Sequence, residues 1–132
     1  MKYVLSESQM NDLIIRQLNI MFDVDNIHWT YPYEYDDDTG EEFEDTNRIE
    51  FYIGDYGDDE TVFRWYSKDY WGGNPDNYIG YTSKSPIVDI EEPYLSNLNG
   101  LFGNKWYKPF KDWFKFNFDV YVKSVNDEVF NK

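Results

Sequence analysis

The chain contains no cysteine and a single histidine, His28. Without cysteine there is no disulfide, no thiolate metal site and no cysteine nucleophile. A lone histidine cannot build a histidine-rich ligand set, and no Ser-His-Asp order surrounds it. Long apolar runs are missing as well. No stretch approaches the roughly 18 residues of a membrane span, and Met1-Lys2-Tyr3-Val4-Leu5-Ser6-Glu7 is too polar for a secretory signal. A cytosolic chain is expected, with no membrane contact. Basic charge is nearly absent from one part: residues 23–60 hold fifteen acidic side chains and one basic one, Arg48. That net of −14 equals the charge of the whole 132-residue chain, because the other 94 residues carry eleven charges of each sign.

Aromatic residues, by contrast, are abundant: five Trp, thirteen Tyr and ten Phe. Disordered acidic chains are poor in aromatics, and each buried ring removes a large apolar area from water. Residues 1–132 therefore read as one folded domain with a charge-balanced body and a strongly acidic, tyrosine-rich segment.

Periodicity supplies the elements. Ser6 and Gln9 form a capping box ahead of Met10, Leu13, Ile14, Leu18 and Met21 at helical spacing, which predicts a helix over residues 7–22 with that face buried. From Ile27 the period becomes two, with Ile27, Trp29, Tyr31, Tyr33 and Tyr35 on one face of an expected strand. Pro32, lacking an N–H, places that strand at an edge. Residues 36–47 read as a polar loop around Thr39-Gly40. Ile49, Phe51 and Ile53 form the next strand, a turn follows at Gly54-Asp55-Tyr56-Gly57-Asp58-Asp59, and residues 62–66 form a third. The expected product over residues 27–66 is an antiparallel meander with two acidic loops.

Residues 68–85, with Trp71-Gly72-Gly73-Asn74-Pro75-Asp76, read as a surface loop. A short helix is expected over residues 91–101, through Tyr94, Leu95, Leu98 and Leu101 and ended by glycines. Another turn or two is expected over residues 108–114, with Pro109 at its start. Finally Phe116, Phe118, Val120 and Val122 alternate with Asn117, Asp119, Tyr121 and Lys123, which predicts a last strand. The fold class is α+β: an N-terminal helix and short C-terminal helices packed on a mostly antiparallel sheet.

Two chemical readings of the acidic density fail on inspection, and no cofactor is expected. An EF-hand loop needs oxygen ligands at positions one, three and five before a glycine at six. Setting Gly40 at six puts Tyr35 at one and Thr39 at five, so the register fails. Carboxylate pairs can cleave glycosides, but with 26 acids some pair always lies close, so abundance says nothing. Trp71-Gly72-Gly73 lacks the Lys-Ser/Thr pair of a phosphate loop. The chain is read as non-enzymatic. An aromatic platform of Trp29, Tyr31, Tyr33 and Tyr35 lacks the basic groove that single-stranded nucleic acid requires. It leaves a sugar platform open, against packing in the core. Lys105, Lys108, Lys111, Lys115 and Lys123 make a mildly basic C-terminal third, interrupted by Asp112 and Asp119.

What remains is an acidic-aromatic surface. Tyrosine is favoured in protein interfaces, and carboxylates around it steer a basic partner. The expected partner-binding residues are Tyr33, Tyr35, Asp36, Asp37, Asp38, Glu41, Glu42, Glu44, Asp45, Asp55, Tyr56, Asp58, Asp59 and Glu60. Direct binding of nucleic acid is not expected. The alternative is that the charge only keeps an aromatic-rich chain in solution.

The opening Lys2-Tyr3-Val4-Leu5-Ser6-Glu7-Ser8-Gln9 resembles the start of many small tailed-bacteriophage proteins. The stretches Leu101-Phe102-Gly103-Asn104-Lys105-Trp106 and Pro109-Phe110-Lys111-Asp112-Trp113-Phe114 are similar to a segment toward their C-termini. The resemblance covers about a fifth of the chain, carries no site residue and implies a phage origin. With that origin the expectation is an acidic inhibitor acting in the host cytoplasm on a basic, nucleic-acid-binding defence protein, its carboxylates standing where phosphates would lie. A virion or assembly component, held as a homo-oligomer by aromatic faces, is the alternative, and a carbohydrate-binding module the third.

Overall fold

Helix α1, Glu7–Met21, starts as its sequence dictates. The Ser6 hydroxyl accepts from the Gln9 backbone, and the Gln9 side chain accepts from the Ser6 N–H at 2.9 Å, closing the capping box. Ile14 and Leu18 are fully buried, but Leu13 is 40% exposed, so the expected apolar face is narrower than its spacing implied. Leu18→Ala should therefore cost about 2–5 kcal/mol, and Leu13→Ala less than about 1 kcal/mol. Urea denaturation of both variants checks this contrast.

The computed structural model describes residues 6–54, 60–68 and 86–130 of the chain. The expected extended run at Tyr3-Val4-Leu5, the turn at residues 55–59 and the loop from residue 69 to 85 lie outside the described residues. After α1, a 3₁₀ turn at Val24–Asn26 leads into strand β1, Ile27–Thr30. The next strands are β2, Tyr33–Tyr35; β3, Glu42–Glu44; β4, Arg48–Ile53; and β5, Thr61–Tyr66. Further along the chain come β6, Ile87–Ile90; α2, Glu92–Phe102; α3, Tyr107–Phe118; β7, Ser124–Val125; and α4, Asn126–Phe130. The main sheet has the order β1-β4-β5-β6-β7, antiparallel except for the β6–β7 pair, and β2 and β3 form a separate two-stranded sheet. The class is α+β, with an N-terminal helix and short C-terminal helices against a mostly antiparallel sheet.

Two expected elements are corrected. The single strand over residues 27–35 is two: β1 is an edge strand of the main sheet, the chain leaves it at Tyr31-Pro32, and β2 pairs elsewhere. Pro32 has a fixed φ and no N–H, which ends the ladder. The loop over residues 36–47 accordingly contains a strand, β3, and the meander β1-β4-β5 is interrupted by a hairpin. The last strand over residues 116–122 is not formed. Helix α3 continues through Phe118 and stops at Asp119, whose φ of 55° and ψ of 38° make a left-handed cap. The apolar stripe Phe110, Trp113, Phe114 and Phe118 keeps helical spacing, and Phe118 packs on Phe51 and Phe114 with ring centroids 4.9 and 5.0 Å away. Burial of that stripe outweighs the alternation. Strand β6 has no counterpart among the expected elements.

One face of the sheet, carrying Phe51 and Phe63, meets α1 and α3 through an aromatic core of Phe22, Phe110, Trp113 and Phe114. Buried indoles keep their donors satisfied: Trp106 Nε1 donates to Asn99 Oδ1 at 2.8 Å and Trp113 Nε1 to Asn19 Oδ1 at 2.9 Å. Among the described residues no helix is long and apolar enough to cross a membrane.

Candidate functional site: an acidic hairpin

The hairpin β2–β3 carries the densest part of the negative charge. Its register pairs Tyr33 with Glu44, Glu34 with Phe43 and Tyr35 with Glu42. Directly opposed residues share a face, so one face presents Tyr33, Tyr35, Glu42 and Glu44, and the other Glu34 and Phe43. The first face is open: Tyr33 is 66% and Tyr35 67% exposed. The Tyr35 hydroxyl bonds the Glu42 side chain, and this hydrogen bond, reinforced by the carboxylate's charge, raises the phenol above its ordinary pKa.

The connecting turn is built from short polar residues. The Asp36 N–H donates to the Glu41 carbonyl at 2.9 Å, and the Gly40 N–H to the Asp36 carbonyl at 2.7 Å. Asp36 Oδ1 accepts from the Asp38 N–H at 2.9 Å, an Asx turn. Gly40 has a φ of +71°, a left-handed conformation glycine adopts without strain. Asp36, Asp37, Asp38 and Glu41 are all exposed around this turn. None of these four, nor Glu42 or Glu44, pairs with a cation among the described residues.

The base of the hairpin is where the one basic residue of the segment is spent. Arg48 Nη2 lies 3.1 Å from Glu34 Oε1, and Arg48 Nε 3.7 Å from Asp45 Oδ2. Asp45 is 9% exposed; its N–H donates to the Pro32 carbonyl at 2.8 Å, and its Oδ1 accepts from the Asn47 N–H at 3.1 Å. Asp45 thus closes the hairpin and does not stand on its outer surface. Glu34 and Arg48, absent from the expected site, hold the hairpin's inner face to the sheet.

Glu60 stands apart. It precedes β5, its carbonyl accepts from the Ile53 N–H at 2.9 Å, and its carboxylate bonds the Tyr94 hydroxyl of α2. Burial, then this bond, push the Tyr94 phenol up to about 12. Asp55, Tyr56, Asp58 and Asp59 lie outside the described residues. The structure therefore gathers Tyr33, Tyr35, Asp36, Asp37, Asp38, Glu41, Glu42 and Glu44 into one hairpin, with Asp45 beneath it. His28 is exposed on β1 with its ring 5.8 Å from that of Tyr52. Among the described residues, no three His, Asp or Glu side chains are grouped so as to hold a metal ion.

The aromatic strand face expected over residues 29–35 is divided. Trp29 and Tyr31 pack edge to face, with centroids 5.3 Å apart, whereas Tyr33 and Tyr35 belong to the hairpin. No protein-family model, curated protein or solved structure matches this chain.

Proposed function

We propose that the chain is a non-enzymatic binding protein whose acidic hairpin docks on a basic, nucleic-acid-binding surface and occupies it in place of phosphates. The observation that carries the reading is the set of six exposed carboxylates on one hairpin, interleaved with two exposed tyrosines, with the segment's only cation turned to the opposite face. Exposed carboxylates at strand and turn spacing give a dense negative field that steers association with a basic partner. The rigid tyrosine rings add contact area at small entropy cost. The tailed-phage resemblance suggests that the partner is a host defence protein.

A tagged protein would be used for capture from bacterial lysate, beside a variant with Asp36, Asp37 and Asp38 changed to Asn and Glu41, Glu42 and Glu44 changed to Gln. Asparagine in place of Asp36 keeps the acceptor of the Asx turn, and removal of like charges relieves repulsion. The variant should melt no lower than the parent. The parent alone should capture a nucleic-acid-binding protein, release it between about 50 and 500 mM salt, and lose it to a competing DNA duplex. Identical capture by both proteins, or capture indifferent to salt, would remove the electrostatic reading. Recovery only of further copies of this chain would favour the second reading, an assembly component, which the exposed apolar side chains Ile20, 72% exposed, and Phe116, 87% exposed, also support.

A further inference from the structure

Beside the hairpin the helical layer stops short of the sheet. Helix α3 ends at Phe118, Asp119 turns the backbone left-handed, and Trp65 Nε1 holds the following segment by donating to the Tyr121 carbonyl at 2.9 Å. The uncovered end of β1 and β4 becomes a cleft of about 230 Å3. Its floor is apolar, formed by Ile49, Phe51 and Phe118, and its aromatic wall is the Trp29–Tyr31 pair. The indole of Trp29 is 56% exposed. At the rim stands Asp119, whose carboxylate has no hydrogen bond or ion pair among the described residues. Among the described residues no basic side chain lines the cleft. It is also continuous with the hairpin along the chain. Tyr31 precedes Pro32, and Ile49 follows Arg48, whose guanidinium bonds Glu34 of β2 at 3.1 Å.

We infer that this cleft is a pocket for a single arginine side chain of the basic partner, an inference that rests on the hairpin reading above. The cleft is smaller than the roughly 300–1,000 Å3 of typical small-molecule sites, a size that suits one side chain. A guanidinium stacks flat on an indole, is weakly hydrated and takes a carboxylate in a planar, bidentate manner. Trp29 and Asp119 offer those two partners, and the apolar floor receives the aliphatic stem. A lysine ammonium is a compact, strongly hydrated point charge and gains less from the same walls. The negative field of the hairpin favours a cationic occupant over a neutral apolar one or a sugar ring.

Capped hexa-arginine and hexa-lysine peptides, equal in charge, separate this pocket from the hairpin's general attraction. Titrated by calorimetry at about 50 mM salt, the parent should bind hexa-arginine about fivefold more tightly than hexa-lysine. Trp29→Ala should abolish that preference, weakening hexa-arginine several-fold more than hexa-lysine. Because Trp29 is largely exposed, the loss of its ring should not unfold the protein. Asp119→Asn, which keeps a residue tolerant of the left-handed cap, should reduce the preference without removing packing. The six-residue hairpin variant should weaken both peptides alike and retain the arginine preference. Equal binding of the two peptides by the parent, or a preference that survives both single substitutions, would overturn the pocket and leave the hairpin reading standing. If neither peptide binds the parent, both readings fall together.

Discussion

Phe63→Ala should destabilise the protein by about 3–5 kcal/mol, the largest effect expected of any single truncation. Phe63 is fully buried at the centre of β5. Its ring centroid lies 4.7 Å from Phe22, 5.6 Å from Phe110 and Phe114, and 6.2 Å from Phe51, Trp113 and Phe118. These rings come from the sheet, from the end of α1 and from α3, so a cavity at Phe63 removes support from every layer at once. Several contacts are edge to face, at interplanar angles of 64–81°, and such pairs add about 0.5–1.5 kcal/mol beyond area burial. Rings held by one another have little room to collapse into the space, so relaxation should recover little of the loss. Phe116→Ala, which removes a ring that is 87% exposed, should change stability by less than about 0.5 kcal/mol. Chemical denaturation measures both. A small loss at Phe63 would mean that the aromatic core repacks freely.

That core explains which elements were legible. Helix α1 could be read because two independent signals, the capping box and the 3.6-residue period, agree. Strand β4 could be read because Ile49, Phe51 and Ile53 alternate with Glu50 and Tyr52, and β5 because residues 62–66 are a short run rich in β-branched and aromatic residues just after a turn signal. At the C-terminal end two periods overlap. Phe116, Phe118, Val120 and Val122 alternate, yet Phe110, Trp113, Phe114 and Phe118 form a helical stripe over the same ground. Only the position of Phe51 and Phe63 across the core decides between them, and that information is not local. Strand β6 is four residues long, and its neighbours β5 and β7 are brought to it by tertiary packing.

The site was legible in charge but not in shape. Confinement of the net negative charge to residues 23–60 pointed to that segment as the most negative surface. The hairpin itself escaped because β2 continues the period of β1 and reads as one strand with it, while β3 is exposed on both faces and carries no apolar face that a period-two reading seeks. A usable signal was present: Tyr33-Glu34-Tyr35 and Glu42-Phe43-Glu44 flank an Asp-initiated turn with Thr39-Gly40 at its end. A charge count also could not separate Asp45 from its neighbours. Its role comes from the Asx bond to Asn47 and from Arg48, three residues on. Spacing places Trp29 on the aromatic face of a strand and leaves open whether that face is exposed or packed in the core. Its exposure depends on where α3 ends, a fact fixed by the left-handed backbone of Asp119 some ninety residues away.

Raising the pH from about 4 to 7 should destabilise the protein through Asp89, and Asp89→Asn should remove that loss. Asp89 lies on β6 directly opposite Arg64 of β5, which is in turn opposite Glu50 of β4. Burial raises the Asp89 carboxyl to about 6; the guanidinium of Arg64 opposes the rise, and the charge of Glu91 adds to it. Arg64 is held by Glu91 in an ion pair of 2.5 Å, so its charge is shared. Asn126 Nδ2 donates to Asp89 Oδ1 at 2.7 Å. Because the folded pKa lies above the ordinary 3.8, the folded state binds more protons than the unfolded one between those values. Stability contributed by this group is therefore full below pH 3.8 and is lost as pH rises to about 6, by on the order of 3 kcal/mol. Asparagine retains an acceptor for Asn126 and carries no charge to desolvate. The variant should match the parent near pH 4 and exceed it at pH 7.5, with Arg64 still paired to Glu91. Urea denaturation of both proteins across this range reads the difference directly, and repulsion among the hairpin carboxylates cancels because it is common to both. A variant no more stable than the parent at pH 7.5 would show that the fold ionises Asp89 without penalty, and that Arg64 compensates its burial fully.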